Sequence, residues 1–287
     1  MANPVCLSPL KFYDALEKQE RYKSYAYGNT VPVVMPFNII YPFQFIVPEA
    51  ASQITQVYIC DASINTRQTG NIASAFGELG LTIVEVNGYK VVIFPGIFPV
   101  LDIKYKGLYY LEVVSDAGDS YYSEVFCFTT MESDYIEIEY WNPEGDFQLA
   151  NGVITFTNNF HFKILLPTEL GKPEYSFEEE ATRRLGYSFV ESQVSKKIYK
   201  FNTILPEYLC DALRLVRLCS NKKLTSKGET YDMLSFEMDV DWQEQGDLAS
   251  VNCEFEVDNI IVNLGGFQHE LLGGDFSEDY NNDYKKQ

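Results

Sequence analysis

The chain has 287 residues, of which 46% are hydrophobic and 15% aromatic, and its formal charge is −19. This length exceeds what one hydrophobic core usually holds, so we expect two domains. The hydrophobic content excludes an intrinsically disordered chain. The negative charge argues against sequence-specific nucleic-acid binding and against an anionic membrane surface, because both depend on Lys and Arg.

Residues 1–30 are predicted to form an N-terminal arm. The stretch from Lys11 to Tyr25 has weak helical periodicity and lacks the apolar pattern needed to bury itself, so the arm is expected to gain order only in an assembly. The first residues lack a basic region followed by an apolar region, and Pro32, Pro36 and Pro42 interrupt the next apolar run. We therefore predict no signal peptide and no membrane segment.

Residues 31–131 show short apolar runs between turn signals, a pattern typical of an immunoglobulin- or fibronectin-like β-sandwich. Asn87-Gly88 predicts a type I′ hairpin, and residues 116–119 predict a second hairpin. The predicted strands are Ile54–Cys60, Leu81–Val86, Tyr89–Phe94, Leu108–Val114 and Tyr121–Thr129.

Residues 132–264 are predicted to form a second β-rich domain. Apolar and acidic residues alternate strictly in Ser235–Trp242 and in Val251–Asp258, so these segments should form an antiparallel hairpin with one solvated face. Residues 136–140 alternate in the same way. The Gly-rich, acidic residues 265–287 are expected to form a tail that a partner would have to order.

One helix is predicted over residues 206–218. Pro206 opens it, Glu207 and Arg217 match the helix dipole, and Leu209, Leu213 and Val216 form one apolar stripe with Ala212 beside it. We expect this stripe to lie against the sheet.

Motifs for catalysis are absent from the sequence, which has no G-x-S-x-G, no G-x-G-x-x-G, no Walker A and no H-E-x-x-H. Only His161 and His269 are present, so His-based triads and multi-His metal sites are not predicted. Asp239-x-Asp241 begins like a calcium loop, but Glu244 stands where the turn glycine belongs. A glycosidase-like carboxylate pair stays open, because only spatial separation defines it. We predict a protein without enzymatic activity, cofactor or metal.

Six cysteines are scattered without a C-x-x-C pair, which is typical of free thiols in a protein made in a reducing cytoplasm.

The charge is unevenly distributed. Residues 163–227 carry 12 Lys and Arg against 8 Asp and Glu, a net +4, which leaves −23 for the rest. The acidic face of the predicted hairpin is either a solvated surface that blocks aggregation or a docking face for a basic partner, which could be another copy. The candidate contact residues are Glu237, Asp239, Asp241, Glu254, Glu256 and Asp258 on the acidic side and Arg183, Arg184, Lys196, Lys197, Lys222 and Lys223 on the basic side.

Three segments, residues 94–128, 167–184 and 196–216, resemble structural proteins of phages and prophages that infect Bacteroides-type bacteria, including the crAss-like phages. They contain FPGIFPVLDIKYKGLYYLEVVSDAGDSYYSEVFCF, PTELGKPEYSFEEEATRR and KKIYKFNTILPEYLCDALRLV. The resemblance implies a virion protein made in the host cytoplasm, a subunit of a neck or tail ring or of the tail. Its partners would be copies of itself and other neck or tail proteins. A strand-rich module with one helix also resembles the tail-tube fold.

The alternative function is a carbohydrate- or receptor-binding module. Aromatic side chains in pairs can form platforms for sugars, and the candidates are Tyr109, Tyr110, Tyr121, Tyr122, Tyr140 and Trp141. Such pairs more often reflect packing between strands than a sugar site.

Overall fold

The fold was analysed in a computed structural model. The structure describes residues 8–15, 31–49, 53–76, 82–86, 88–96, 107–130, 134–143, 148–149, 153–154, 160–184, 187–242 and 248–262.

The described residues form twenty β-strands, a short 3-10 helix at Ala73–Phe76 and the α-helix α1 (Glu207–Leu218). The strands are β1 (Phe12–Tyr13), β2 (Val33–Pro36), β3 (Phe43–Pro48), β4 (Ile54–Asp61), β5 (Thr66–Arg67), β6 (Thr82–Val86), β7 (Tyr89–Phe94), β8 (Leu108–Ser115), β9 (Ser120–Ser123), β10 (Phe126–Thr129), β11 (Ile136–Trp141), β12 (Gln148–Leu149), β13 (Val153–Ile154), β14 (Phe162–Leu166), β15 (Glu174–Arg184), β16 (Tyr187–Pro206), β17 (Asn221–Ser226), β18 (Glu229–Asp232), β19 (Ser235–Trp242) and β20 (Leu248–Val262). The prediction of a mainly β fold with one flanking helix is confirmed.

Eleven strands form one large sheet in the order β1-β9-β8-β10-β2-β14-β11-β17-β18, with β4 and β5 attached beside β8. Strands β3, β7 and β6 form a three-stranded sheet, and β12 pairs with β13. The remaining four strands, in the order β15-β16-β20-β19, form what we call the long-strand sheet.

The large sheet crosses the predicted domain boundary at residues 131–132. β2, from the first predicted domain, pairs with β14, from the second, through Val34 and Leu165. Buried side chains from both halves belong to one hydrophobic cluster. The division into two folding units therefore stays a prediction, whereas the sheet and the core are continuous across it.

The hairpins predicted in the first half are confirmed. β6 and β7 are antiparallel with Val86 opposite Tyr89, and Gly88 has a φ of +83°. Asn87 lies outside the described residues, so the type I′ turn stays a prediction. β8 and β9 are joined at residues 116–119. The strand predicted at Tyr121–Thr129 is wrong as one element, because the chain changes neighbours at Glu124. β9 pairs with β1 and β8, whereas β10 runs parallel to β2.

The prediction of an arm that gains order only in an assembly is wrong for residues 8–15, which pack on their own chain. β1 pairs with β9, and Leu10 and Tyr13 are buried. The Tyr13 hydroxyl donates a hydrogen bond to the carboxylate of the fully buried Glu124, which satisfies a group that would otherwise be costly to bury. Residues 1–7, 16–30 and 265–287 of the predicted arm and tail lie outside the described residues.

The helix α1 begins one residue after the predicted start, so Pro206 is its N-cap and not its first residue. The predicted stripe is buried, and so are Tyr208, Cys210 and Leu215, which flank it. One side packs on the long-strand sheet. On the other, the Tyr140 hydroxyl of β11 donates to the Ala212 carbonyl at 3.4 Å. The helix is thus held between two sheets. Among the described helices, none is long and apolar enough to cross a bilayer.

We expect Leu213→Ala in α1 to lower the free energy of unfolding by about 2–5 kcal/mol, because Leu213 is fully buried between the sheets and its truncation leaves a cavity. The matched control is Leu218→Ala in the same helix. Leu218 is 49% exposed, so its truncation should cost less than about 0.5 kcal/mol. Urea denaturation of both variants measures the difference, and equal losses would contradict this packing of the helix.

Candidate functional site

The candidate site is the face of the long-strand sheet that points away from α1, which we call the outer face. The predicted alternation is confirmed for Ser235–Asp241 and for Val251–Glu256. Phe236, Val251 and Phe255 are buried under the helix, whereas Glu237 and Asp239 point outward and are exposed. An antiparallel pair buried on one side only has this pattern.

A shallow depression of about 550 Å³ crosses β16, β20 and β19 on this outer face. At its centre the Asn202 amide donates to the Ser250 hydroxyl at 3.1 Å and to the Asn252 side-chain oxygen at 2.7 Å. The residues around it are Lys200, Phe201, Asn202, Glu237, Met238, Asp239, Asn252, Cys253 and Glu254. Six of these nine residues have charged or amide side chains.

Lys200 connects both sides of this depression. Its Nζ lies 2.6 Å from a Glu174 oxygen and 3.5 Å from a Glu254 oxygen. The hydrogen bond to Glu174 raises the pKa of Lys200, and Glu254 adds to the effect. Lys196 forms a similar contact with Glu178 at 2.7 Å, which raises the pKa of Lys196. Lys196 and Lys200 therefore remain protonated over the physiological range, held on the outer face by acidic residues of neighbouring strands.

The acidic face is partly neutralised within its own chain. Glu237 stands directly opposite Glu254 across β19 and β20, a repulsive arrangement. Arg217 of α1 lies 3.7 Å from Glu237, and Lys200 of β16 lies near Glu254. The sequence contains no Lys or Arg between residues 235 and 258, but the fold supplies cations from the predicted basic region. Glu237 and Glu254 therefore already lie beside cations of their own chain, and their role as partner contacts stays a prediction.

Asp239 and Asp241 complete the outward row of β19. Asp239 lies opposite Asn252, and Asp241 lies opposite Ser250. Both aspartates are exposed. They are the acidic residues of this hairpin best placed to meet a partner, because polar but uncharged residues stand opposite them.

Asp258 does not share this row. A register shift pairs Ile198 with Glu256 and Lys197 with Asp258, so Val257 has no direct partner. Opposite residues of an antiparallel pair share a face, and Lys197 lies over the Tyr199 ring on the inner face. The bulge therefore moves Asp258 to the face opposite Glu254, and strict alternation gave the wrong face.

The predicted basic residues are not brought together. Lys196 and Lys197 point to opposite faces of β16. Arg183 is exposed and Arg184 ends β15, opposite Tyr187, far along the hairpin from the depression.

The other two predicted basic residues, Lys222 and Lys223, lie on β17 of the large sheet. Lys222 is buried and donates to the Cys219 carbonyl at 2.8 Å, and burial lowers its pKa. Lys223 lies 3.5 Å from Asp232. Lys222 therefore cannot contribute to a surface contact in this fold.

The predicted aromatic platform does not form. Tyr109, Tyr110 and Tyr140 are buried. Tyr121 packs on Phe45, and Tyr122 packs on Tyr110. The Trp141 ring is stacked on His161, with centroids 4.2 Å apart, and the Lys223 ammonium lies 5.8 Å from its centroid. Packing between strands accounts for these aromatic pairs.

Sequence reasoning missed Lys200, Asn202 and Asn252. The available signal was the alternation in β16, where Tyr199, Phe201, Thr203 and Leu205 are buried and the residues between them point outward. Lys196 and Lys197 precede this run, and the polar Thr203 at a buried position obscured its period of two. Among the described residues, no group of three or more His, Cys, Asp or Glu side chains is placed to hold a metal ion.

No protein-family model matches this chain, and no curated protein matches it. The resemblance to phage structural proteins therefore stays a prediction.

Beneath the depression, burial raises the pKa of the Cys253 thiol to about 12. The folded state keeps this proton at a pH where the unfolded thiol, with a pKa near 9.0, has lost it. Stability from this group is therefore fully present below pH 9 and is lost as the pH rises towards 12. The expected loss is about 1.4 kcal/mol per pH unit.

Between pH 9 and pH 11, we expect the unfolding free energy of Cys253→Ala to fall less steeply with pH than that of wild type. The two slopes should differ by about 1.4 kcal/mol per pH unit, because alanine has no proton to lose. Urea unfolding of variant and wild type at several pH values measures both slopes. The control is the range from pH 6 to pH 8, where the slopes of the two proteins should agree. Equal slopes for variant and wild type above pH 9 would contradict a buried neutral thiol.

Proposed function

We propose that this chain is a non-enzymatic structural subunit of a bacteriophage virion, part of a multimeric neck or tail ring or of the tail. It would act through contacts with copies of itself and with neighbouring neck or tail proteins.

The observation that carries the proposal is the character of the outer face. Small-molecule sites are usually concave, enclosed and largely apolar, with a few convergent polar groups. The outer face is instead a shallow surface where charged and amide side chains cross three long strands. Charged surfaces of this kind suit protein contacts, where complementary charge directs the encounter and fixes the orientation.

The resemblance of three segments to phage structural proteins supports the choice of a virion. Two of these segments contribute to the long-strand sheet, since residues 167–184 contain β15 and residues 196–216 contain the last 11 residues of β16 and most of α1. Two of the three segments that carry the resemblance thus form part of the sheet that presents the outer face.

Electrostatic assistance of assembly is part of the proposal. Asp239 and Asp241 would meet basic residues from the 163–227 region of a neighbouring copy. Glu237 and Glu254 contribute less, because Arg217 and Lys200 already lie beside them.

Negative-stain microscopy of the purified protein tests the proposed function. A closed ring, or a ring that binds phage tails, is the expected result. A monomer that binds glycans on an array would instead support the carbohydrate-binding alternative and reject the structural role.

We expect the double variant Asp239→Lys, Asp241→Lys to slow assembly by about tenfold at low salt, because rim charges mainly set the association rate. At about 1 M salt, where the screening length is about 3 Å, variant and wild type should assemble at similar rates. Light scattering after dilution from dissociating conditions measures both rates.

The control is the double variant Asp116→Lys, Asp119→Lys, which makes the same change of charge at an exposed turn between β8 and β9. If control and test variants slow assembly equally, net charge alone explains the effect and the acidic row is only solvated surface.

A further inference from the structure

The strand β19 is the last strand of the long-strand sheet on the side of β20. Its eight residues pair one-to-one with β20, without a register shift. Among the described residues, β19 forms backbone hydrogen bonds with β20 alone. Alternate residues of an antiparallel edge strand turn their N–H and C=O groups away from the neighbouring strand. The edge of β19 therefore offers a regular row of backbone donors and acceptors.

The sequence of β19 lacks the features with which proteins usually block such an edge. Those features are lysine, proline, a β-bulge or a charge that points towards the core. β19 contains no lysine and no proline, and the residues of its inward row, Phe236, Met238, Val240 and Trp242, are all apolar. The edge is therefore suited to accept a further strand.

This inward row becomes more exposed along the strand. Phe236 is buried, Met238 and Val240 are half-buried, and Trp242 is 46% exposed. A strand added beside β19 would cover this row with side chains of the same face. Apolar residues at alternate positions of the added strand would remove most of this surface from water.

The outward row of β19 is acidic. Glu237 lies beside Arg217, whereas Asp239 and Asp241 are exposed and form no ion pair with the described residues. Carboxylates that meet across two strands disfavour pairing, and a cation opposite a carboxylate favours it. Two copies of β19 that pair with their apolar rows on one face bring carboxylates opposite carboxylates, so the acidic row opposes self-pairing.

We propose that β19 binds an extended segment of another protein by strand addition, a segment in which Lys or Arg alternates with apolar residues. Backbone hydrogen bonds would supply the affinity, and the alternating side chains would supply the specificity. The described strands of this chain that carry more than one lysine, β16 and β17, each have a neighbour on both sides. That pairing favours a different protein over a second copy as the donor.

This inference rests on the proposed function, since it names the kind of neighbouring protein that the subunit would hold. Asp239 and Asp241 cannot serve an added strand and a neighbouring copy at once. Each subunit therefore makes one of these two contacts.

A synthetic peptide tests strand addition on the full chain. The probe is a fluorescent heptapeptide, Lys-Val-Lys-Val-Lys-Val-Lys, with blocked ends, and fluorescence anisotropy should show saturable binding. Two further peptides carry N-methyl groups either on every lysine or on every valine. Only one of these two sets has its N–H groups directed at β19, because N–H direction alternates along a strand. One methylated peptide should therefore lose binding by about tenfold or more, and the other should bind like the parent.

Equal binding of all three peptides would show that charge alone attracts them to this acidic chain, and strand addition would be rejected. Absence of saturable binding at concentrations up to about 1 mM would also overturn the proposal.

Substitutions locate the peptide on the molecule. Asp239→Lys, Asp241→Lys should weaken binding of the heptapeptide by about tenfold or more, because lysines then meet lysines. The control Asp116→Lys, Asp119→Lys makes the same change of charge at the turn between β8 and β9, and its affinity should stay within about twofold of wild type. Equal losses in both variants would place the peptide elsewhere and refute the β19 site.

Tryptophan emission reports on the apolar row. With Trp141→Phe, Trp242 is the only tryptophan of the chain, and its emission should shift to shorter wavelength when the peptide covers it. The same shift with rising protein concentration alone, without a further shift on peptide addition, would mean that a second copy occupies the edge. The choice of a different protein would then be wrong.

Particle mass separates this inference from the proposed function. If the heptapeptide does not bind while closed particles still form, the β19 contact is wrong and the structural role stands. If the peptide binds with the expected dependence on N-methylation but the protein stays monomeric, the contact stands and the ring or tail role fails.

Discussion

The burial of α1 between the long-strand sheet and the large sheet organises this protein. Ala212, Leu213, Leu215 and Val216 are fully buried, so apolar surface is removed from water on two sides of one helix. The Tyr140 hydroxyl of the large sheet donates to the Ala212 carbonyl of the helix. Because the helix covers the inner face of β16, β20 and β19, the outer face of these strands is the one left to meet solvent or a partner.

The strand β16 organises the charges of the long-strand sheet. It runs for 20 residues between β15 and β20, and its outward lysines lie between glutamates of both neighbours. Each surface ion pair contributes little by itself. Together they convert a chain with separated acidic and basic regions into a sheet whose charges alternate across strands. Among the ion pairs of the described residues, none involves Asp239 or Asp241 of β19, at one edge of the sheet. These two carboxylates are therefore the charges of the sheet that remain available for contacts.

The sequence predicted local features well. The alternation in β19 and β20, the hairpin at Gly88 and the apolar stripe of α1 depend on neighbours within a few residues, and the structure confirms each. Prediction from the sequence failed where the position of a residue depends on a distant strand. The strand predicted at Tyr121–Thr129 is interrupted at Glu124 because β9 and β10 have different neighbours, and Asp258 changes face because β16 and β20 have a bulge between them.

Periodicity by itself determined which face of a strand is buried, because side chains alternate across the sheet whatever the neighbouring strand is. It could not determine the neighbours. Asn202 meets Asn252 and Tyr208 bonds to the Val31 carbonyl across 50 and 177 residues, and no local pattern encodes such pairings. The charges were therefore readable from the sequence, but only the tertiary structure decided which of them neutralise each other. That decision belongs to the packing of α1 and the order of the strands, which bring Lys200 and Arg217 to the acidic hairpin.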